Sequence, residues 1–204
     1  VTRTKRTPVV PLEAGAGPDN PPCPACGEPL FGWLDRRPGL AGPVSRCESC
    51  GLAVVGPAGD AAEALRELDR RGDGAGATIL NRAGFAAWIG GAGWSGLQPG
   101  ARYLFTPESV RRLVAGRDQV VASSRWSPAR GIATMWQTIL NSATFGHDVA
   151  VGEPVRARKP WQRRIDWLVV VALAIPAALV ALPLEIVGAA FRRGSALSLR
   201  FELL

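Results

Sequence analysis

Cys23-Pro-Ala-Cys26-Gly27 and Cys47-Glu-Ser-Cys50-Gly51 contain all four cysteines of the chain, two Cys-x2-Cys-Gly knuckles separated by twenty residues. That spacing suits a tetrahedral zinc ion held by four thiolates. Each knuckle wraps its backbone around the metal, and the glycine turns the chain beside the second sulfur. The pattern predicts a zinc ribbon over residues 21–55, with Cys23, Cys26, Cys47 and Cys50 as ligands of one structural zinc. Four protein ligands close such a site, so the metal is expected to be architectural and not catalytic. Two disulfides are the alternative, but adjacent Cys-x2-Cys pairs make poor staples. The preceding residues 1–20, with Arg3, Lys5 and Arg6 and then a Pro/Gly-rich stretch, lack the apolar core of a signal peptide. They are expected to form a disordered arm.

Downstream of the ribbon, residues 56–150 carry the marks of a folded α/β unit. Asp60 with Glu63 resembles a capping box opening a helix that carries Leu65 and Leu68 and stops at Gly72. Ala77–Leu80 suits a short strand, and Phe85 to Gly100, rich in glycine, reads as a long structured loop. Thr106-Pro107-Glu108 starts a second helix, closed at Gly116, and Asp118 to Trp126 reads as a strand. Ile132, Met135, Trp136, Ile139, Leu140 and Ala143 then follow helical spacing. The opposite face of that helix, Thr134, Gln137, Thr138, Asn141 and Ser142, is polar but uncharged, so it is expected to lie against protein or near a headgroup layer.

Eighteen consecutive uncharged residues, Trp167 to Leu184, follow a basic linker, and residues 151–193 read as a hydrophobic membrane segment. Arg156, Arg158, Lys159, Arg163 and Arg164 precede the run, Arg192 and Arg193 follow it, and Trp161 and Trp167 stand where an interfacial belt would. Residues 1–101 hold ten basic and ten acidic side chains, whereas residues 102–204 hold fourteen and seven. The whole excess of +7 therefore lies beside the apolar segment, which points to anionic membrane lipid as a partner. The positive-inside rule puts the N-terminal body on the cytoplasmic face of a bacterial inner membrane. Pro176, Pro183 and Glu185 complicate a simple span. The tail 194–204 alternates like a strand, and its pairing with the body would require a kinked or re-entrant hairpin. A buried helical pair is the alternative to membrane insertion.

Gly90-Gly-Ala-Gly-Trp94-Ser-Gly-Leu97, followed by Tyr103-Leu-Phe-Thr-Pro-Glu-Ser-Val-Arg-Arg-Leu113, resembles the bacterial class I S-adenosylmethionine-dependent methyltransferases that carry an N-terminal zinc-ribbon-like segment. The paired Cys-x2-Cys-Gly motifs, Asn81 after a strand, and Gly194-Ser195 before a last strand fit the same family. The resemblance implies a partial methyltransferase-like Rossmann sheet with helices, an α+β remnant between the ribbon and the C-terminal hydrophobic helical segment. It also implies a loss. The cofactor half of that fold needs roughly a hundred residues, but only about thirty-five lie between Val55 and Gly90.

Gly72-Asp-Gly74-Ala-Gly76 imitates a cofactor turn, but it follows a charged helix and not a buried strand. S-adenosylmethionine is therefore not expected to bind, and no catalytic residue is assigned. His147, the single histidine, is expected in a surface loop, and Trp94 and Tyr103 are expected to be packing residues. The expectation is a non-catalytic scaffold or regulatory partner in envelope lipid or glycan metabolism, working with a protein partner or a second copy. An active methyltransferase with a partner-completed site is the alternative. A nucleic-acid-binding ribbon is a third reading, disfavoured because Arg36, Arg37 and Arg46 are balanced by Glu28, Asp35 and Glu48.

Overall fold

A computed structural model describes residues 20–35, 40–73, 75–146, 148–150 and 159–203. The N-terminal arm, Arg36 and Arg37, Gly74, His147 and most of the basic linker, including Arg156 and Arg158, lie outside the described residues. The fold is of the mixed α/β class, with two antiparallel sheets. Strands β1 (Leu30–Leu34), β2 (Val44–Cys47) and β3 (Ala53–Val55) form a meander. It does not end at Val55, because β5 (Tyr103–Leu104) adds to β3 as a fourth strand. The second sheet has the order β4-β7-β6, with β4 (Gly76–Leu80) and β6 (Gln119–Trp126) both antiparallel to the central β7 (Ala196–Leu203). Among the described residues every ladder is antiparallel, whereas the partial Rossmann sheet implied by the resemblance would be mostly parallel.

The local signals explain most helices. In α1 (Ala61–Asp69) the Asp60 carboxylate accepts the Glu63 amide at 2.7 Å, while the Glu63 side chain pairs with Arg102. In α3 (Pro107–Ala115) Thr106 and Ser109 form a reciprocal capping box behind Pro107. The glycine-rich stretch expected as loop contains a short helix, α2 (Phe85–Gly90), and one 3-10 turn, Gly91–Gly93. Trp94, Tyr103 and Phe105 are fully buried. One core joins Leu30, Leu52 and Val54 of the cysteine-bearing sheet to Leu68, Val110, Ile79 and Leu199.

Most of the polar face of α4 (Pro128–Ala143) is covered by protein: Thr134, Gln137 and Thr138 are buried, and Ser142 is exposed. The Thr138 hydroxyl accepts the Ser95 amide, Ser95 donates to the Thr134 carbonyl, and Asn141 donates to the Gly93 carbonyl. Its apolar side meets α5 (Pro160–Ala190), a single helix of 31 residues that runs through Pro176 and Pro183. The run therefore does not turn back as a hairpin. A stripe of Asp166, Val170, Ala177, Ala181, Glu185 and Gly188 faces the body, its small residues admitting close approach.

Both acids in the stripe are hydrogen-bonded. Asp166 accepts the amides of Phe145 and Gly146, at 2.7 and 3.1 Å, just beyond α4. Glu185 accepts the Ser195 amide (2.6 Å), the Ser195 hydroxyl (2.5 Å) and the Trp126 indole N–H (3.0 Å). Gly131 makes room for it, since a Cβ there would fall on the Glu185 carboxylate. Midway, the Trp136 indole donates to the Ala174 carbonyl at 2.9 Å. The helix is thus fastened along its length to α4 and to the sheet.

Candidate metal centre

The two knuckles are built by backbone turns that only glycine completes without strain. Gly27 and Gly51 adopt φ of +77° and +75°, in the left-handed region, directly after Cys26 and Cys50. The Gly27 amide returns to the Cys23 carbonyl at 2.8 Å and the Gly51 amide to the Cys47 carbonyl at 3.0 Å. The first knuckle precedes β1 and the second leaves β2, whose antiparallel pairing opposes Leu30 to Cys47 and so brings the knuckles together.

All four sulfurs lie within 4.8 Å of one another. Sγ of Cys23 is 3.5 Å from Sγ of Cys50, and Sγ of Cys26 is 3.4 Å from Sγ of Cys47. Disulfide sulfurs would stand about 2.05 Å apart, whereas a tetrahedron of thiolates around zinc has edges of about 3.8 Å. All four cysteines are free, and Cys23, Cys47 and Cys50 are buried. Without a cation the crowding disfavours ionisation: hydrogen bonding to Cys23 and then burial push the Cys50 thiol up, and burial pushes Cys26 up. A cation reverses that penalty, since coordinated thiols ionise outright. The donor set therefore fits a metal ion.

The second knuckle rests on the start of α3. The Thr106 hydroxyl donates to the Cys50 carbonyl at 2.6 Å, and Arg112 reaches Ser49 Oγ at 3.0 Å. Sequence reasoning read Thr106 only as a helix cap; its second role links residues 56 apart and has no local signature. Arg82, which escaped notice in the sequence, extends toward the Gly51 carbonyl at 3.5 Å. Trp94 and Tyr103 fill the core. Burial, followed by the nearby Glu63 charge, pushes the Tyr103 phenol up to about 12.

In the glycine turn after α1 the described amides are spent internally. Asp73 Oδ1 accepts Ala75 N–H at 3.2 Å and Gly76 N–H at 3.1 Å, and Gly72 bridges to Ala77. Set against family models, curated proteins and solved structures, this chain finds no match.

Proposed function

We propose that this protein is a zinc-stabilised, membrane-attached scaffold or regulatory partner with a methyltransferase-like ancestry and no methyl transfer of its own. The outward side of α5 carries the reading. Leu168, Val171, Ile175 and Leu179 are each about 70% exposed, spaced along one helix face. α5 is long and apolar enough to cross a membrane by length and composition. Its attachments along α4 and at Ser195 favour a different placement, flat in the interface with the outer face in the acyl layer and the body above. Arg163 and Arg164 at one end and Arg192 and Arg193 at the other suit an anionic, cytoplasmic leaflet. Trp161 and Trp167, each half exposed, suit the headgroup level.

Zinc is the ion the thiolate set fits best among common structural metals. The absence of catalysis is supported by the turn at Asp73, where the Ala75 and Gly76 amides are already taken, and by the short stretch between the ribbon and the Gly-Trp loop. The membrane placement motivates reading the scaffold role as one in envelope lipid or glycan metabolism, with a protein partner or a second copy. The outer edge of β6, which pairs with no other strand among the described residues, is the place where one could add, since residues 71–73 already bond to the outer edge of β4.

Flotation with liposomes tests the central claim. The full chain should float with vesicles, and the triple variant Leu168→Lys/Ile175→Lys/Leu179→Lys should stay at the bottom while retaining its circular dichroism. Equal flotation of both, or a detergent-free soluble wild type that ignores vesicles, would overturn it. Calorimetry with S-adenosylmethionine should show no saturable heat; a binding isotherm would restore the enzyme reading.

A further inference from the structure

A cleft of about 720 Å³ opens between the second cysteine knuckle, the turn at residues 81–84, the start of α3 and the residues just after α5. Its walls carry five arginines, Arg46, Arg82, Arg111, Arg192 and Arg193, against two acids, Glu48 and Glu108. Both acids are already engaged. Glu48 stands 3.6 Å from Arg46, and Arg112 and Arg111 together hold Glu108 below the usual carboxylate range.

Arg82 is the residue that makes this more than a basic surface. Its guanidinium carbon sits 4.4 Å over the Trp33 ring, and its Nη1 reaches only the Gly51 carbonyl, at 3.5 Å. Its Nε is buried without a hydrogen-bond partner. Among the described residues Arg82, Arg192 and Arg193 take part in no ion pair. A partly buried guanidinium with a shielded, unmet N–H is costly, and a second cation, Arg46, adds to the cost. Burial first, and then Arg46, pull Arg82 down to about 10, so it stays charged at neutral pH with its charge uncompensated.

The backbone beneath it is fixed: Asn81 donates to the Gly194 carbonyl, and the Phe85 amide donates to the Arg193 carbonyl at 2.8 Å. Arg192 closes α5 at φ +58°, a position where glycine would be the relaxed choice. The chain thus accepts local strain where it places a cation at the rim of this cleft.

We propose that the cleft binds a phosphate ester, its anion seated against Arg82 and enclosed by Arg46, Arg192 and Arg193. Planar guanidinium forks match phosphate oxygens, which would supply the acceptors that Arg82 lacks. The cleft is also lined by Trp88 of α2 and by Phe191 at the end of the apolar helix, 73% and 75% exposed. A lipid could therefore place its headgroup in the cleft and its chains along α5. That source of the phosphate rests on the membrane reading; the anion site itself does not.

The test uses the full chain in neutral detergent, titrated with inorganic phosphate, and then phosphatidylcholine vesicles with or without phosphatidate. Phosphate should bind saturably, and Arg82→Gln should weaken it by about tenfold to a hundredfold. Arg193→Gln, a change at an exposed side chain, guards against misfolding in Arg82→Gln and should weaken binding severalfold. Arg66→Gln, at an exposed position of α1 outside the cleft, should leave binding unchanged. Preference for phosphatidate vesicles, lost in Arg82→Gln while binding to phosphatidylcholine persists, assigns the phosphate to a lipid. Phosphate binding without vesicle binding assigns a soluble ester and removes the membrane reading alone. No saturable phosphate binding by the wild type, or an equal loss in Arg66→Gln, overturns the proposal.

Discussion

The sheet β1-β2-β3-β5 and the sheet β4-β7-β6 hold themselves together by opposite means. The first is small, with strands of two to five residues, and ties its turns through four sulfurs within 4.8 Å of each other. The second has strands of five to eight residues and two long helices in α4 and α5. It has more apolar side chain than its interior can use, and α5 turns the surplus outward. A module of some thirty-five residues cannot bury enough area to fold on hydrophobicity alone and needs a staple. A module with surplus apolar surface needs a cover. The comparison predicts different sensitivities: chelators for the first sheet, buried hydrogen bonds and the lipid phase for the second.

The largest expected effect is metal loss. Cys47→Ser or a strong chelator should remove hydrogen-exchange protection across residues 21–55. Structural zinc binding worth on the order of 10 kcal/mol is also the folding energy of such a module. Residues 119–143 and 160–203 should keep most of their protection. Uniform loss across the chain would break the comparison and show that the shared core makes one cooperative unit. Unchanged protection after chelation would remove the metal from the account.

Next in size is Glu185→Ala. It strands the Ser195 amide, the Ser195 hydroxyl and the Trp126 indole N–H, all inside the second sheet's junction with α5. The expected cost is about 3–5 kcal/mol, read as a fall in melting temperature with zinc content unchanged. Glu185→Gln retains one acceptor oxygen and should cost less. A variant that melts like the wild type would mean that α5 is held by its apolar stripe alone.

Much of this architecture was legible because its signals are local. The knuckles, the caps at Asp60 and Thr106, and the alternation in Ala196–Leu203 each specify their own element. What escaped was specified from a distance. Tyr103–Leu104 is too short to show strand periodicity and becomes one by pairing with Ala53 and Val54. Pro176 and Pro183 signal a break locally, but the contacts of Trp136, Asp166 and Glu185 hold α5 as one helix. Glu185 reads as a cost in lipid until its partners, Trp126 and Ser195, are brought beside it. Removing everything after Glu153 would also remove β7, the central strand of the second sheet. Charge substitutions on the outer face of α5 are therefore the cleaner test of attachment.

The smallest expected effect separates the sheets by pH. Tyr103 lies in β5 of the cysteine-bearing sheet, and its phenol is pushed up to about 12 by burial and then by Glu63. The unfolded chain releases this proton near pH 10, while the folded one retains it. Between those values the folded state binds more protons, so stability falls as pH rises. The contribution is complete below about pH 10 and gone above about pH 12. Wild type should therefore lose stability across that window, read as a declining urea midpoint. Tyr103→Phe, which cannot ionise, should lose less. The difference should report on exchange in residues 44–55, next to β5, before it reaches α4. Parallel pH profiles for the two proteins would show that Tyr103 is not what limits the first sheet in alkali.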